Sequence, residues 1–241
     1  MARVTVCSTA PANIAVAELM TADPMARSLD GTPSYYYIRR AAPGSANASK
    51  FVIHIQGGGW CSSTQSCASR AAGNLGSSDP EKTKENSVQG GKQDLMAVHG
   101  CQNNRWCGAL MVNDPGINPY AHDWNAVLLR YTDGASWIGN QLEPTAGGLY
   151  FQGAYSLRAM MRSLTTKYGL DQATEVLIGG DSAGGLATFM HIDAFADHIH
   201  ASAPHAKVLG MPDSGYWPDD TAQEFSSTFT SMFKMQNNGS Y

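Results

Sequence analysis

No apolar run of 18 residues occurs in the 241-residue chain, so no transmembrane helix is expected. Charge is sparse, with 16 Lys and Arg against 20 Asp and Glu and a net charge of −4. That leaves no basic footprint for a phosphate backbone and excludes a nucleic-acid partner. The start, "MARVTVCSTAPANIAVAELM", lacks a continuous apolar core and is a poor secretory signal. Cysteines number five, none at C-x2-C spacing with histidines nearby, so no metal site is expected. The triplet "GGG" has no G-K-[ST] after it, and no nucleotide or other cofactor motif appears. Hydrophobic residues at 43% and charged residues at 15% exclude a disordered chain. They suit one medium domain, or an incomplete larger one.

Four of the cysteines form two C-x5-C pairs, Cys61 with Cys67 and Cys101 with Cys107, flanking loop-rich segments. Two loop-stapling disulfides are expected, but four cysteines allow three pairings and the spacing chooses none. Disulfides imply an oxidising compartment, which conflicts with the weak leader.

Short apolar strands alternate with helical patterns. Strands are predicted at 34–40, 50–56, 125–131, 175–180 and 206–213. A helix is predicted over 150–169, closed by Gly169 as its C-cap, with another after Ser182 and a last one from about Asp219. Residues 61–124 read as a long polar insertion with short helical candidates near 66–72 and 92–99. The alternation predicts an α/β fold, a mainly parallel sheet flanked by helices. Residues 29–241 form the domain, and residues 1–28 a poorly defined N-terminal segment.

The stretch "IGGDSAGG" (178–185) places G-x-S-x-G between a predicted strand and a predicted helix. In that context Ser182 reads as a nucleophile on a sharp turn at the carboxyl edge of the sheet. The helix from Ala183 offers unpaired N–H groups to an oxyanion. A Gly-rich turn with no chemistry is the bland alternative. A second cluster, "HIQGGGW" (54–60), follows an early strand, where α/β-hydrolases place the other oxyanion N–H. Gly58, Gly59 and Trp60 are candidates, with Ala183 supplying the partner amide. Trp60 also reads as a wall of the acyl pocket or a sugar-stacking ring, against plain packing.

Five stretches then appear in order: "LDGTPSYYYIRR", "IQGGGWCSSTQSC", "NPYAHDWNAVLLRYTDGASW", "GGDSAGGLA" and "DSGYW". Together, from about Leu29 to Trp217, they resemble the pectin acetylesterase family, which includes the Notum-type carboxylesterases. The resemblance implies an α/β-hydrolase fold and a serine esterase that is secreted or cell-wall located. It implies Ser182 as nucleophile and Gly59, Trp60 and Ala183 as the oxyanion positions. Plant members remove acetyl groups from pectin, and Notum-type members a fatty acyl group from a signalling protein. The chain departs from the plant pattern at Gln56, Thr132 and Asp181, where plant members carry Glu, Cys and Cys, so the family's disulfide pattern does not carry over.

The fold orders its triad as Ser, then acid, then His. No histidine follows Asp213. Asp193 and Asp197 fall on the helix leaving Ser182, with Asp193 roughly 16 Å along its axis. His191, His198 and His200 read as helix-surface residues, and His205 lies at the opposite sheet edge. His54 reads as packed within its strand. The chain therefore reads as the nucleophile half of an esterase, its C-terminal part missing, with little activity by itself. Asp213, at a strand end beside Ser182, reads as structural or site-lining. Asp133 in "YTDGAS" either binds substrate hydroxyls or anchors its loop.

The leading expectation is a serine carboxylesterase that deacetylates a polysaccharide such as pectin, or takes another acyl ester. A protein-lipid deacylase is the second reading and a non-catalytic glycan-binding remnant the third. The tripeptides "NAS" (47–49) and "NGS" (238–240) fit the glycosylation pattern on a secretory route.

Overall fold

The computed structural model describes residues 14–83, 92–94, 109–217 and 223–237. Its strands are β1 (Ile14–Leu19), β2 (Tyr35–Arg39), β3 (Lys50–Ile55), β4 (Lys92–Asp94), β5 (Asn125–Leu129), β6 (Glu175–Asp181) and β7 (Lys207–Asp213). They form one sheet in the order β4-β1-β2-β5-β3-β6-β7. β5, β3, β6 and β7 pair in parallel, while β2 and β4 run against the other strands. The helices are α1 (Thr64–Ala71), α2 (Pro80–Thr83), α3 (Gly153–Tyr168), α4 (Ala183–His200) and α5 (Gln223–Gln236). The architecture is α/β-hydrolase-like: a mainly parallel sheet flanked by helices, as the alternation predicts.

Residues of the central strands sort by parity into two cores. Phe51, Ile53, Ile55, Val127, Leu129, Val176 and Ile178 pack with α3 and α4. Val52, Ala126, Leu128 and Leu177 pack on the other face with Tyr35, Tyr37 and Trp124. A strand covered on both faces has no polar side to show, which is why these runs are nearly all apolar. α3 buries Leu157, Met160, Met161 and Leu164, one stripe at helical spacing. It ends at Gly169, where φ is 79° and the amide bonds to Leu164 O, as the sequence predicts.

Two elements were not expected. β1 precedes residue 29 yet pairs with β2 inside the same sheet. Residues 92–94, placed in a helical candidate, form β4 against β1, and the rest of that candidate lies outside the described residues. Both owe their form to pairing with a distant strand, which local periodicity does not record. Of the cysteine pairs, Cys61–Cys67 is a disulfide with Cα atoms 5.0 Å apart. Cys101 and Cys107 lie outside the described residues, as does Asn238.

Candidate active site

β6 ends at Asp181 and α4 begins at Ala183, leaving Ser182 alone on the turn with φ 53° and ψ −118°. That backbone costs a non-glycine residue about 1–3 kcal/mol and persists only where its surroundings over-determine it. Here Ser182 N donates to Asp213 O (3.0 Å), and Ser182 O accepts the Leu186 amide (3.0 Å). The first turn of α4 also lies directly on the end of β3: a Cβ on Gly184 would sit 2.0 Å from Ile55 O. Only glycine allows that approach.

The loop after β3 reaches the same place. Asp181 Oδ1 accepts Gly57 N (3.1 Å) and His54 Nε2 (2.9 Å), tying the loop to the residue before Ser182. Arg70 on α1 donates to Gly58 O (2.7 Å), and Tyr131 Oη donates to Gly59 O (2.7 Å). In a trans peptide the N–H points opposite to the carbonyl. Drawing these two carbonyls onto Arg70 and Tyr131 therefore turns the amides of Gly59 and Trp60 the other way. The Ser182 carbonyl, committed to α4, aims the Ala183 amide back out of the helix by the same rule. None of these three amides meets an acceptor among the described residues. The disulfide and the bond from Cys61 N to Gly134 O (3.0 Å) close the far end of the loop.

A second loop, 133–137, braces both halves. Gly134, Ser136 and Trp137 all have positive φ, at 68°, 50° and 65°. Ser136 is fully buried. Its Oγ accepts Trp60 Nε1–H (2.7 Å) and donates to Ala183 O (2.8 Å). Its amide donates to Tyr131 Oη (3.0 Å), and its carbonyl accepts His191 Nε2–H (2.9 Å). One residue thus touches the glycine loop, the first turn of α4 and the tyrosine that orients Gly59. Sequence reading missed Arg70, Tyr131, Ser136 and His191. His191, expected on the helix surface, packs against this loop, and burial pulls its pKa down.

Asp133 lies under the loop, 1% exposed, and accepts the Ala135 (3.2 Å) and Trp137 (2.8 Å) amides at Oδ2. That is the geometry of an anchor. Burial pushes its pKa from 3.8 up to about 7, against the pull of those amides and Arg70. A carboxyl whose pKa rises on folding holds its proton more tightly in the folded chain. Its contribution to stability is fully present below about pH 4 and is lost as pH climbs through 7. Asp133→Asn is therefore expected to gain on the wild type by on the order of 4 kcal/mol between pH 4 and pH 8. Urea unfolding at several pH values checks this, and parallel stability curves would contradict it.

Asp213, opposite Asp181 in the register, holds Ser182 through its backbone and keeps an exposed carboxylate that accepts from Ser214 Oγ (3.1 Å). Trp60 packs edge-on to Trp217 and Phe225, with centroids 5.3 and 5.2 Å away. The described histidines of the last third are committed elsewhere: His198 to Thr165 Oγ1 (2.9 Å) and His200 to Ala206 O (3.0 Å). His205 lies near the start of β7, at the edge away from Ser182.

The family profile described as Pectinacetylesterase matches residues 8–240. The chain belongs to the pectinacetylesterase family. Pectin acetylesterase 5 of Arabidopsis thaliana is 33% identical over 192 residues, covering 78% of this chain and 39% of its own length. The palmitoleoyl-protein carboxylesterase NOTUM of Schmidtea mediterranea is 29% identical, covering 83% of this chain and 34% of its own. The human NOTUM is 24% identical, covering 79% and 34%. The chain thus spans about a third to two fifths of the relatives it matches. By these names the pectinacetylesterase family is one of carboxylesterases.

Proposed function

We propose that the chain carries the nucleophile and oxyanion side of a serine carboxylesterase that removes acetyl groups from a polysaccharide such as pectin. The observation that carries this is the outward aim of the Gly59, Trp60 and Ala183 amides, each fixed from behind, at strand ends flanking Ser182. In this reading Ser182 Oγ bonds to the acetyl carbon and the carbonyl oxygen becomes an oxyanion facing those amides. The sugar alcohol then leaves with a proton, and water releases acetate from the acyl-enzyme. This reading assigns the general base to none of the described histidines. Asp213 faces the substrate, and Asp133 anchors the bracing loop.

Two observations favour acetyl over a long acyl chain. Trp60, Trp217 and Phe225 fill the space beside the oxyanion loop with rings in mutual contact. The pectin acetylesterases cited as relatives are 30–33% identical, the NOTUM-type proteins 24–29%. The disulfide fits an oxidising compartment, hence secretion or the cell wall.

Rates of the complete protein on p-nitrophenyl esters from acetate to palmitate, with its acetate release from acetylated pectin, test the reading. The acetate ester is expected to exceed the octanoate in kcat/KM by about tenfold or more. A long-acyl preference would move the assignment to a protein-lipid deacylase. Glycan binding indifferent to Ser182→Ala, with no turnover even in the complete protein, would end the esterase reading.

A further inference from the structure

We propose that Asp181 and His54 together position the oxyanion loop for ester hydrolysis, a role that rests on the esterase reading of Ser182. Residues alternate between the two faces of the sheet. By that alternation His54 and Asp181 share the face of Val52, Leu128 and Leu177, opposite the one that packs on α4. His54 stands beside Gly179 in the parallel register, and Gly179 offers it no side chain to pack against. Asp181 lies two residues further along the same face. His54 is 4% exposed, and its Nε2 meets Asp181 Oδ1 at 2.9 Å. A carboxylate only accepts, so Nε2 carries a proton and donates it.

That bond fixes the acceptor that the loop uses. The same Oδ1 takes the Gly57 amide at 3.1 Å. Gly57 sits so close that a Cβ there would stand 2.2 Å from Asp181 O and 2.7 Å from Asp181 Oδ2. Arg70 and Tyr131 hold the next two carbonyls, Gly58 O and Gly59 O, from α1 and from just past β5. Neither belongs to the strand that carries the nucleophile. They set which way the Gly59 and Trp60 amides turn. Asp181, one residue before Ser182, sets how far the loop stands from the serine. Oxyanion donors act by being in place before the charge develops, and a misplacement of about 1 Å costs on the order of 10²-fold. In this reading Asp181 touches no reacting atom. It acts through Gly57 on the two amides that follow.

The test compares the complete protein with its Asp181→Ala, Asp181→Asn and His54→Phe variants, by p-nitrophenyl acetate kinetics and by amide hydrogen exchange across residues 56–60. Asp181→Ala is expected to speed exchange and to lower kcat about 10-fold to 100-fold, with KM changed by less than about twofold. Asp181→Asn keeps an oxygen for both donors and is expected to stay within about threefold of the wild-type kcat, with exchange slow again. His54→Phe keeps the bulk and removes the donor, and is expected to lower kcat about threefold or more. Added to Asp181→Ala it is expected to cost nothing further, because both changes act through one tether. Faster exchange at the wild-type kcat in Asp181→Ala would make the tether structural and overturn the proposal. So would unchanged exchange, an Asp181→Asn loss as large as that of Asp181→Ala, or additive losses in the double variant. If Asp181→Ala does not fold, His54→Phe decides, and a wild-type kcat there overturns the proposal. Absent turnover in the wild type would instead sink the esterase reading, and the proposal with it.

Discussion

Ester hydrolysis is expected to fall about 10⁴-fold or more on Ser182→Ala, measured with the general base present. The size follows from the reading that Ser182 forms the covalent intermediate: without its oxygen, only the oxyanion amides remain. The same residue makes an opposite prediction for stability. Ser182 holds a positive φ that glycine adopts without strain. Ser182→Gly is therefore expected to abolish hydrolysis while raising stability by about 1–3 kcal/mol. A purely structural serine would show neither the rate loss nor the inverse relation between the two. Steady-state rates and thermal unfolding of both variants decide it. Activity retained within about tenfold in both would remove Ser182 from the mechanism.

The contrast between Ser182 and its supports explains what the sequence disclosed. The elbow is local: a strand, four glycines and a helix within one short run, so spacing alone locates it. The buried strands are local too, because both faces are covered and the runs are apolar throughout. The bracing of the oxyanion loop is not. Arg70, Tyr131 and Ser136 reach it from an insertion helix, the end of β5 and a strained turn, and nothing in their own neighbourhoods marks them. Tyr131 reads as one more aromatic at a strand end, and Ser136 as a turn residue, until Gly59 O and Trp60 Nε1 are seen against them. Asp181 and His54 behave likewise. Each is unremarkable alone, and their meeting at 2.9 Å rests on the parallel register of β3 with β6.

That bracing makes the second large prediction. Tyr131→Phe removes the hydroxyl that holds Gly59 O and accepts the Ser136 amide. The Gly59–Trp60 peptide is then free to turn its amide away from the oxyanion. A lost oxyanion donor costs about 10²–10³ in kcat, so kcat is expected to fall within that range while KM changes little. Leaving the buried Ser136 amide unpaired adds about 1–3 kcal/mol of destabilisation. Ser136→Gly separates catalysis from folding. It keeps the backbone bonds to Tyr131 and His191, relieves the positive φ, and removes only the hydroxyl between Trp60 and Ala183. Stability close to wild type with a reduced kcat is the expected outcome. If both variants fold and turn over at the wild-type rate, the amides of Gly59 and Trp60 are not the groups that meet the oxyanion. The hole would then have to be built from Ala183 and donors not yet in view.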